Sequence, residues 1–409
     1  MGNTSIASLI EDIVLAGKGY DNNAPGSRET LIDLSHALVA ALELPSEFIL
    51  RSMWAEPALS GINRIAVDLK LFQHLRDAGE RGLTIEELAS KTGAEAALLA
   101  RLMRHVVAMR LLSFADGRLL ATPLSNGLAE DNFQKTIEFC YDCTRPSFNS
   151  FPEYFKLHDY KDRVTPIDGP FQFALSREKP LHFFPWLEAN PPNLSRFASY
   201  MSAYRAGHSR WWDTGFYPVK ERLIDGFDSS VSDVLLIDVG GGRGHDLDLF
   251  VACHADHPGR VILQDQESVI NSIPDKSEKP YEVQSHDFFT TQPVKAARGY
   301  SMHSILHDWD DKDSLRILEN LKPALKPGYS RVLLNEIVVS EEQPTLSSAI
   351  MDLQMMAHVG VGERTEAQWR KLLAQGGLTI IKIHTYPGSA ESVIEAELPD
   401  GPGQYDNAV

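Results

Sequence analysis

The sequence has little cysteine, no long apolar run and no apolar start. Among its 409 residues are 3 cysteines, Cys140, Cys143 and Cys253, which cannot all pair with one another. No apolar stretch approaches the roughly 18 residues that a membrane-spanning helix needs. Glu11 and Asp12 interrupt the N-terminal segment in which a signal peptide would need its apolar core. These absences predict an intracellular, cytoplasmic protein with no membrane partner.

Basic residues are outnumbered by acidic ones. Lys and Arg together number 39, against 56 Asp and Glu, and the formal net charge is -17 at pH 7. A surface of this charge repels nucleic acid, so DNA binding would need a strong local basic patch. We find none and expect no nucleic-acid partner. Cys140 and Cys143 have the spacing of a redox or zinc pair, but no second pair follows, so we expect a structural role and no metal site.

Glycine is concentrated directly after one apolar run. The sequence from Val234 to Gly244 reads VLLIDVGGGRG, which predicts a buried parallel strand, an acid and a glycine-rich turn. A strand that runs into such a turn and then a helix is typical of nucleotide-binding proteins. A dinucleotide fingerprint would have its third Gly where His245 stands, and no Gly-Lys-Ser/Thr follows as in a P-loop. The pattern that remains is Asp-x-Gly-x-Gly-x-Gly, beginning at Asp238.

Acidic residues also end the next two predicted strands. Asp265 lies about 20 to 25 residues past the glycine turn, where a carboxylate can accept hydrogen bonds from both hydroxyls of a ribose. Asp287 and Phe288 follow the third strand, where the carboxylate suits the amino group of an adenine and the ring suits its face. In this order and spacing, the blocks predict an adenosine-containing ligand.

With these motifs, the chain resembles the small-molecule O-methyltransferases of plants and fungi that use S-adenosyl-L-methionine (SAM). The resemblance is specific from about Asp233 to Thr365. It implies an α/β fold: a Rossmann-like domain with a central, mostly parallel sheet whose last strand is antiparallel, preceded by an α-helical winged-helix dimerisation domain. It also implies SAM as the cofactor, S-adenosyl-L-homocysteine (SAH) as the product, and a homodimer.

The resemblance also indicates which residues contact the cofactor. They lie in the glycine turn, at the ends of the following strands and, for Ser209, in the segment before the first of these strands: Gly240, Gly242, Asp265, Gln266, Asp287, Phe288, His303 and Ser209. The plant enzymes carry a Lys at the position of His303, so the cofactor contact expected there differs in this chain.

The catalytic residues implied by the resemblance follow the fourth and fifth strands. The family's general-base histidine belongs to a His-Asp-Trp block, which is matched here by His307, Asp308 and Trp309. Glu336 ends the fifth predicted strand, and Glu363 belongs to a Gly-Glu-Arg-Thr block that contributes a second carboxylate beside the histidine. A neighbouring carboxylate raises the basicity of an imidazole, which helps it to take the proton of a phenol, whose own pKa is about 10.

The segment from Asp131 to Phe227 is mostly helical and unusually aromatic, as a pocket for a flat ring requires. The resemblance places Phe197, Met201, Arg205 and His208 on one helix that lines the acceptor pocket, together with Met355 and Val359 from later in the chain. The plant enzymes have an Asn where this chain has Val359, which indicates a different acceptor and the fungal, polyketide-directed branch. The expected substrate is therefore a small aromatic acceptor.

These features predict a division into domains. Residues 1–130 would form a helical arm and a winged helix, in which Thr84 and Glu87 form a capping box and Asp116-Gly117 turns a hairpin. Residues 131–227 would form the acceptor-pocket segment, 228–400 the SAM-binding catalytic domain, and 401–409 a tail.

Three functions are compatible with the sequence. The leading hypothesis is O-methylation of a phenolic hydroxyl on an aromatic secondary metabolite. The first alternative is a pericyclase or dehydratase of the same fold, which would bind SAM without transferring its methyl group. A transcriptional regulator that reads DNA through the winged helix is the least favoured reading, since the chain offers no basic surface for it.

Overall fold

The computed structural model describes residues 5–22, 24–204 and 206–399. These residues fall into two compact units, the first formed by residues 5–14, 33–207 and 357–360, the second by residues 15–32, 208–356 and 361–399, apart from the two undescribed positions. The tail predicted for 401–409 lies outside the described residues. The domain boundaries near 131 and 228 stay predictions.

In the described residues up to 207, the regular elements are helices except for one hairpin. The α-helices are α1 (Ile6–Asp21), α2 (Ser27–Leu42), α3 (Pro45–Ile49), α4 (Glu56–Asp68), α5 (Leu71–Ala78), α6 (Ile85–Thr92), α7 (Ala96–Ala108), α8 (Pro123–Leu128), α9 (Asp131–Phe139), α10 (Arg145–Asn149), α11 (Phe151–Leu157), α12 (Pro170–Leu175), α13 (Phe183–Ala189) and α14 (Asn193–Ala203). Two π-helical turns, Leu50–Ala55 and Cys140–Thr144, continue α3 and α9, and the hairpin consists of β1 (Leu112–Ala115) and β2 (Arg118–Ala121).

Local hydrogen bonds and backbone angles explain the winged helix. The Thr84 hydroxyl accepts a hydrogen bond from the Glu87 amide at 3.2 Å, and the Glu87 carboxylate accepts one from the Thr84 amide at 2.9 Å, which starts α6 with the predicted capping box. Asp116 and Gly117 both have positive φ, 52° and 76°, as a tight hairpin turn requires. Helices α6 and α7 and the hairpin therefore form the predicted helix-helix-hairpin unit.

The N-terminal helices leave apolar side chains exposed. No residue of α2 is buried, and Leu15, Leu42, Met53 and Trp54 each expose more than half of their surface. Isolated exposed apolar residues are common, but a series along one arm marks a surface for another protein. The arm therefore has the character of an interface.

The aromatic segment differs from the prediction in one respect. Phe197 and Met201 lie on α14 as expected, but α14 ends at Ala203, so His208 lies beyond it. Gly207 has a φ of 82°, a left-handed conformation that does not continue an α-helix. The expectation of one helix through His208 is therefore wrong, and Arg205, predicted on the same helix, lies outside the described residues.

The two cysteines of the Cys-x-x-Cys pair are free thiols on the turn after α9. Burial raises the pKa of Cys140 to about 11 and that of Cys143 to about 12. A thiol with so high a pKa is a poor nucleophile and a poor metal ligand, because the thiolate is the reactive form. This chemistry fits the structural role predicted for them.

The second unit is built on a twisted sheet. Its strands are β3 (Val234–Val239), β4 (Arg260–Asp265), β5 (Glu282–Ser285), β6 (Gly299–His303), β7 (Arg331–Val339), β8 (Arg364–Thr365), β9 (Thr379–Thr385) and β10 (Glu391–Glu397). The order is β5-β4-β3-β6-β7-β10-β9, with β8 paired to β7. Strands β3 to β7 pair in parallel and β10 is antiparallel to both of its neighbours. The fold class predicted from the sequence is confirmed.

Helices cover both faces of this sheet, as a mostly parallel sheet requires. They are α15 (His245–Cys253), α16 (Glu267–Asn271), α17 (Asp311–Leu321) and α19 (Glu366–Gln375), and the chain forms a further helix, α18 (Leu346–Val359), after β7. All six residues of β3 are buried, which explains the unbroken apolar run before the glycine turn. From β3 the chain runs outward on one side through β4 and β5 and then crosses to β6 on the other side of β3. Such a reversal leaves a ligand crevice at the carboxyl ends of the strands.

None of the helices in the described ranges is long and apolar enough to cross a bilayer.

Candidate active site

The glycine turn is packed on one side and open on the other. Gly240 and Gly242 have φ values of 77° and 62°, which L side chains rarely adopt. A Cβ added at Gly240 would lie 2.6 Å from the Ile305 side chain, whereas a Cβ at Gly242 would meet no atom within 4 Å. The turn is therefore fixed against the protein through Gly240 and can receive a ligand beside Gly242.

Asp265 connects the end of β4 to this turn. Its carboxylate accepts hydrogen bonds from the Gly242 amide at 2.8 Å and the Gln266 amide at 2.7 Å. Burial raises the pKa of the Asp265 carboxyl, against the lowering effect of these two amides. The predicted ribose-binding residue thus also determines the conformation of the glycine turn.

A narrow recess lies next to the turn. Its lining residues are Trp211, Trp212, Leu236, Asp238, Asp246, Leu247, Phe250 and Ser301. Carboxylates and aromatic faces both stabilise a positive charge. SAM carries a sulfonium and an ammonium group, so the carboxylates of Asp238 and Asp246 beside the open turn have a charge that suits the cofactor.

The predicted adenine residues lie at the end of β5. Asp287 is exposed, and its carboxylate accepts a hydrogen bond from the Phe289 amide at 2.9 Å. Phe288 is half-buried and stands edge-on to Trp309, with ring centres 6.2 Å apart. Ser209, predicted to contact the methionyl part of the cofactor, is half-buried in the chain segment before β3.

His303 is enclosed by polar partners. Its Nδ1 lies 2.5 Å from an Asp246 carboxylate oxygen, and its Nε2 lies 3.0 Å from Glu391 and 2.6 Å from the Asn335 amide nitrogen. Both ring nitrogens therefore have partners within the protein. A direct contact between this ring and the cofactor would have to replace one of them, so the structure connects His303 to the recess through Asp246.

The predicted catalytic residues converge at the end of β6. His307 lies on a 3₁₀ turn, Leu306–Asp308, and its Nδ1 is 2.9 Å from a Glu363 carboxylate oxygen. Its Nε2 is 3.7 Å from the Asp308 carboxylate, which is beyond hydrogen-bond distance. Glu336 acts on the backbone instead, since its carboxylate accepts hydrogen bonds from the Ile305 amide at 3.0 Å and the Leu306 amide at 2.8 Å.

The carboxylates make His307 more basic. Burial alone lowers the pKa of the imidazole, but Asp308, Glu363 and Glu336 outweigh it and raise the pKa to about 10. Burial raises the pKa of Asp308 to about 6 and that of Glu336 to about 7, against the lowering effect of the imidazole. Glu363 is therefore the acceptor for the Nδ1 proton, and Nε2 is the nitrogen that can exchange a proton with a substrate.

Some of the residues predicted to line the acceptor pocket are packed among other side chains, whereas His208 is exposed. The Phe197 ring stands edge-on to Phe139 and Phe183, with ring centres 5.5 and 5.4 Å apart. Val359 and Met355 are buried on α18. His358, which the sequence did not single out, stacks on Phe183 at 5.0 Å, and burial lowers its pKa to about 3, so the imidazole is neutral.

Several partners of the site were missed because they are distant in sequence. Glu391 lies 88 residues after its partner His303. Asp352 lies on α18, and its carboxylate accepts a hydrogen bond from the Glu363 amide at 2.8 Å. The position of Arg364, directly after Glu363, could have singled it out in the sequence. No sequence pattern identifies the Leu306 and Trp309 carbonyls that it binds. Across the described ranges, no group of three or more His, Cys, Asp and Glu side chains has an arrangement that could hold a metal ion.

Comparisons with known proteins agree with this geometry. Two family models match, an O-methyltransferase domain over residues 218–379 and an O-methyltransferase dimerisation domain over residues 58–131. The chain is 55% identical over 399 residues to O-methyltransferase mpaG' of Penicillium brevicompactum, which covers 97% of this chain and 100% of that protein.

Solved structures agree over nearly the full chain. A structure titled as a pericyclic reaction enzyme has a TM-score of 0.84 at 25% identity, over 96% of this chain and 100% of that one. The structure of LepI in complex with SAM has a TM-score of 0.84 at 26% identity, with the same coverage. Because the sequence match is close and spans nearly the whole chain, the protein belongs to the SAM-dependent O-methyltransferase family.

Proposed function

We propose that the enzyme methylates a phenolic hydroxyl of an aromatic, polyketide-type secondary metabolite, with His307 as the general base. The observation that carries the proposal is the contact between His307 Nδ1 and Glu363, at 2.9 Å and shielded from water. This contact fixes the tautomer and leaves Nε2 as the proton acceptor. The phenolic substrate follows from the need for a base, because a phenol is protonated at neutral pH.

The protein would hold the cofactor along the strand ends, through Gly240, Gly242, Asp265, Gln266, Asp287 and Phe288. When bound, SAM supplies a methyl group on a positively charged sulfur. Asp265 keeps the glycine turn in its open conformation, and the carboxylates of the recess offset positive charge. These residues bind and orient the cofactor, whereas the turn after β6 carries the residue that transfers the proton.

Proton transfer is favoured by the raised pKa of His307. An imidazole of ordinary pKa, about 6.5, would take a proton from a phenol of pKa about 10 at a cost of about 5 kcal/mol. The neighbouring carboxylates raise the pKa of His307 towards that of the phenol, which reduces this cost. Nε2 takes the phenolic proton, Nδ1 keeps donating to Glu363, and Glu336 holds the backbone of the turn.

The turnover of a His307→Ala variant tests the base. We expect a loss of about 10² to 10⁴-fold at pH 7 with little change in SAH affinity. The loss should shrink at about pH 9.5, where a phenol of pKa about 10 begins to ionise without help. His257→Ala, in the loop before β4, is the control. Near-normal turnover at neutral pH, or equal impairment at both pH values, would contradict the assignment.

A second candidate reaction is a pericyclic rearrangement or dehydration with SAM retained. It is favoured by one observation, the structural likeness to a pericyclic reaction enzyme. Phenolic polyketides incubated with methyl-labelled SAM separate the two reactions. Methyl transfer labels the product and forms one SAH per product, whereas the alternative changes the acceptor without label and without SAH.

Asp265→Ala tests the cofactor site. The variant lacks the carboxylate that would accept hydrogen bonds from the ribose, and it also loses the hydrogen bond from the Gly242 amide. SAH binding should therefore weaken by at least about 1.5 kcal/mol. Isothermal titration calorimetry measures the change, with Asp256→Ala, an exposed acid in the loop before β4, as the matched control. An unchanged SAH affinity would remove Asp265 from the site.

We infer that the enzyme is a two-fold homodimer. The dimerisation-domain match over residues 58–131 and the exposed apolar arm support this. We expect an interface well above the standard size of about 1,600 Å². Light scattering at micromolar concentration should give a dimer mass, and Trp54→Glu should lower it. A monomer mass for the unaltered protein would overturn the inference.

A further inference from the structure

The backbone turn that carries His307 is held by a side chain to which neither the sequence motifs nor the family match assigns a task. Arg364 donates from Nη1 to the Leu306 carbonyl at 2.8 Å and from Nη2 to the Trp309 carbonyl at 2.8 Å. These two carbonyls flank His307 on either side. A single guanidinium therefore fixes both ends of the catalytic turn.

The guanidinium itself has hydrogen-bond partners for most of its N–H groups. Its Nε donates to Asp311 at 3.0 Å and its Nη2 also donates to Ser314 at 3.1 Å, so four of its five N–H groups are used. Its Cζ lies 5.1 Å from the centre of the Trp369 ring, and only 8% of the side chain is exposed. Such a planar, stacked fork cannot be reproduced by the point charge of a lysine.

Glu363, which contacts His307, and Arg364, which binds the carbonyls of the His307 turn, are neighbours at the start of one short strand. Arg364 begins β8, which pairs in parallel with β7 at Val338, and Glu363 directly precedes it. One stretch of backbone therefore sets the position of the carboxylate on the imidazole and of the guanidinium on the carbonyls. Glu336, from β7, holds the amide side of the same turn.

The backbone just before the turn is strained, which explains why the turn needs the hydrogen bonds from Arg364. Ser304, between β6 and the turn, has a φ of 52°, a left-handed conformation that is unfavourable for a residue with a side chain. Strained backbone of this kind persists only where its surroundings hold it. Without Arg364 the turn would keep its amide contacts to Glu336 but lose the carbonyl contacts on the other side.

We propose that Arg364 is a positioning residue for catalysis, which holds the imidazole of His307 at hydrogen-bond distance from Glu363. The inference rests on the proposed role of His307 as the general base. A misplacement of about 1 Å in a reacting group can lower a rate by about 10²-fold. Arg364 thus acts on the reaction without touching the substrate.

Kinetics of Arg364→Ala and Arg364→Lys test the proposal. We expect kcat to fall about 10 to 100-fold in the alanine variant and less in the lysine variant, with the KM for SAM and the SAH affinity nearly unchanged. Arg370→Ala removes an exposed arginine paired with Glu366 on α19 and is the control. If the alanine variant does not fold, the lysine variant carries the same test. Unchanged kcat in a folded variant would overturn the proposal.

The pH profile separates positioning from a general loss of structure. When Glu363 no longer contacts the ring, the pKa of His307 should fall, although Asp308 and Glu336 still face it and Asp352 stays bonded to the Glu363 backbone. The acid limb of the pH–rate profile should therefore move to lower pH. Guanidinium at millimolar concentration should restore part of the rate of Arg364→Ala, and neutral urea should not. An unmoved limb without guanidinium rescue would contradict the positioning role.

A double-mutant cycle distinguishes this proposal from the proposed function. If Arg364 acts through His307, adding Arg364→Ala to the His307→Ala variant should cause no further loss of rate. The same loss in both backgrounds would overturn the positioning role while leaving His307 as the base. Near-normal turnover of His307→Ala alone would instead remove the base, and with it the basis of this inference.

Discussion

The buried contact between His307 and Glu363 is the interaction on which the site depends. The imidazole side chain is 8% exposed and the carboxylate side chain is fully buried, so water does not stabilise the ionised forms of this pair. Removing one partner of such a pair leaves the other uncompensated, at a cost of about 3 to 5 kcal/mol. The surrounding backbone must therefore keep the two groups together, and Glu336 and Arg364 do so from opposite sides of the turn.

The sheet topology brings the residues proposed to bind the cofactor and the proposed base to the same edge. Strands β3, β4 and β6 are parallel neighbours, so the glycine turn, Asp265 and the His307 turn all follow carboxyl ends of strands. This is where open α/β sheets bind ligands, because the connections diverge there. Glu391 lies on the antiparallel strand β10 and contacts His303 at the end of β6. His303 in turn contacts Asp246, which lines the recess.

The comparisons show that the fold does not by itself decide the reaction. A pericyclic reaction enzyme and this O-methyltransferase share the architecture at a TM-score of 0.84. Function on a shared fold is decided by the chemistry of particular side chains. In this chain the side chain proposed to decide the reaction is the imidazole of His307, whose pKa the neighbouring carboxylates raise.

The sequence by itself determined the elements whose signals are local: the buried run of β3, the glycine turn, the capping box at Thr84 and the acids that end the strands. It also indicated His307 and Glu363 through short motifs. The tertiary structure alone decided that Glu336 binds backbone amides, that His303 is enclosed by Asp246 and Glu391, and that α14 ends before His208. Hydrogen-bond partners that are tens of residues apart leave no periodic pattern in a sequence, because only the packing of strands and helices brings them within 3 Å of each other.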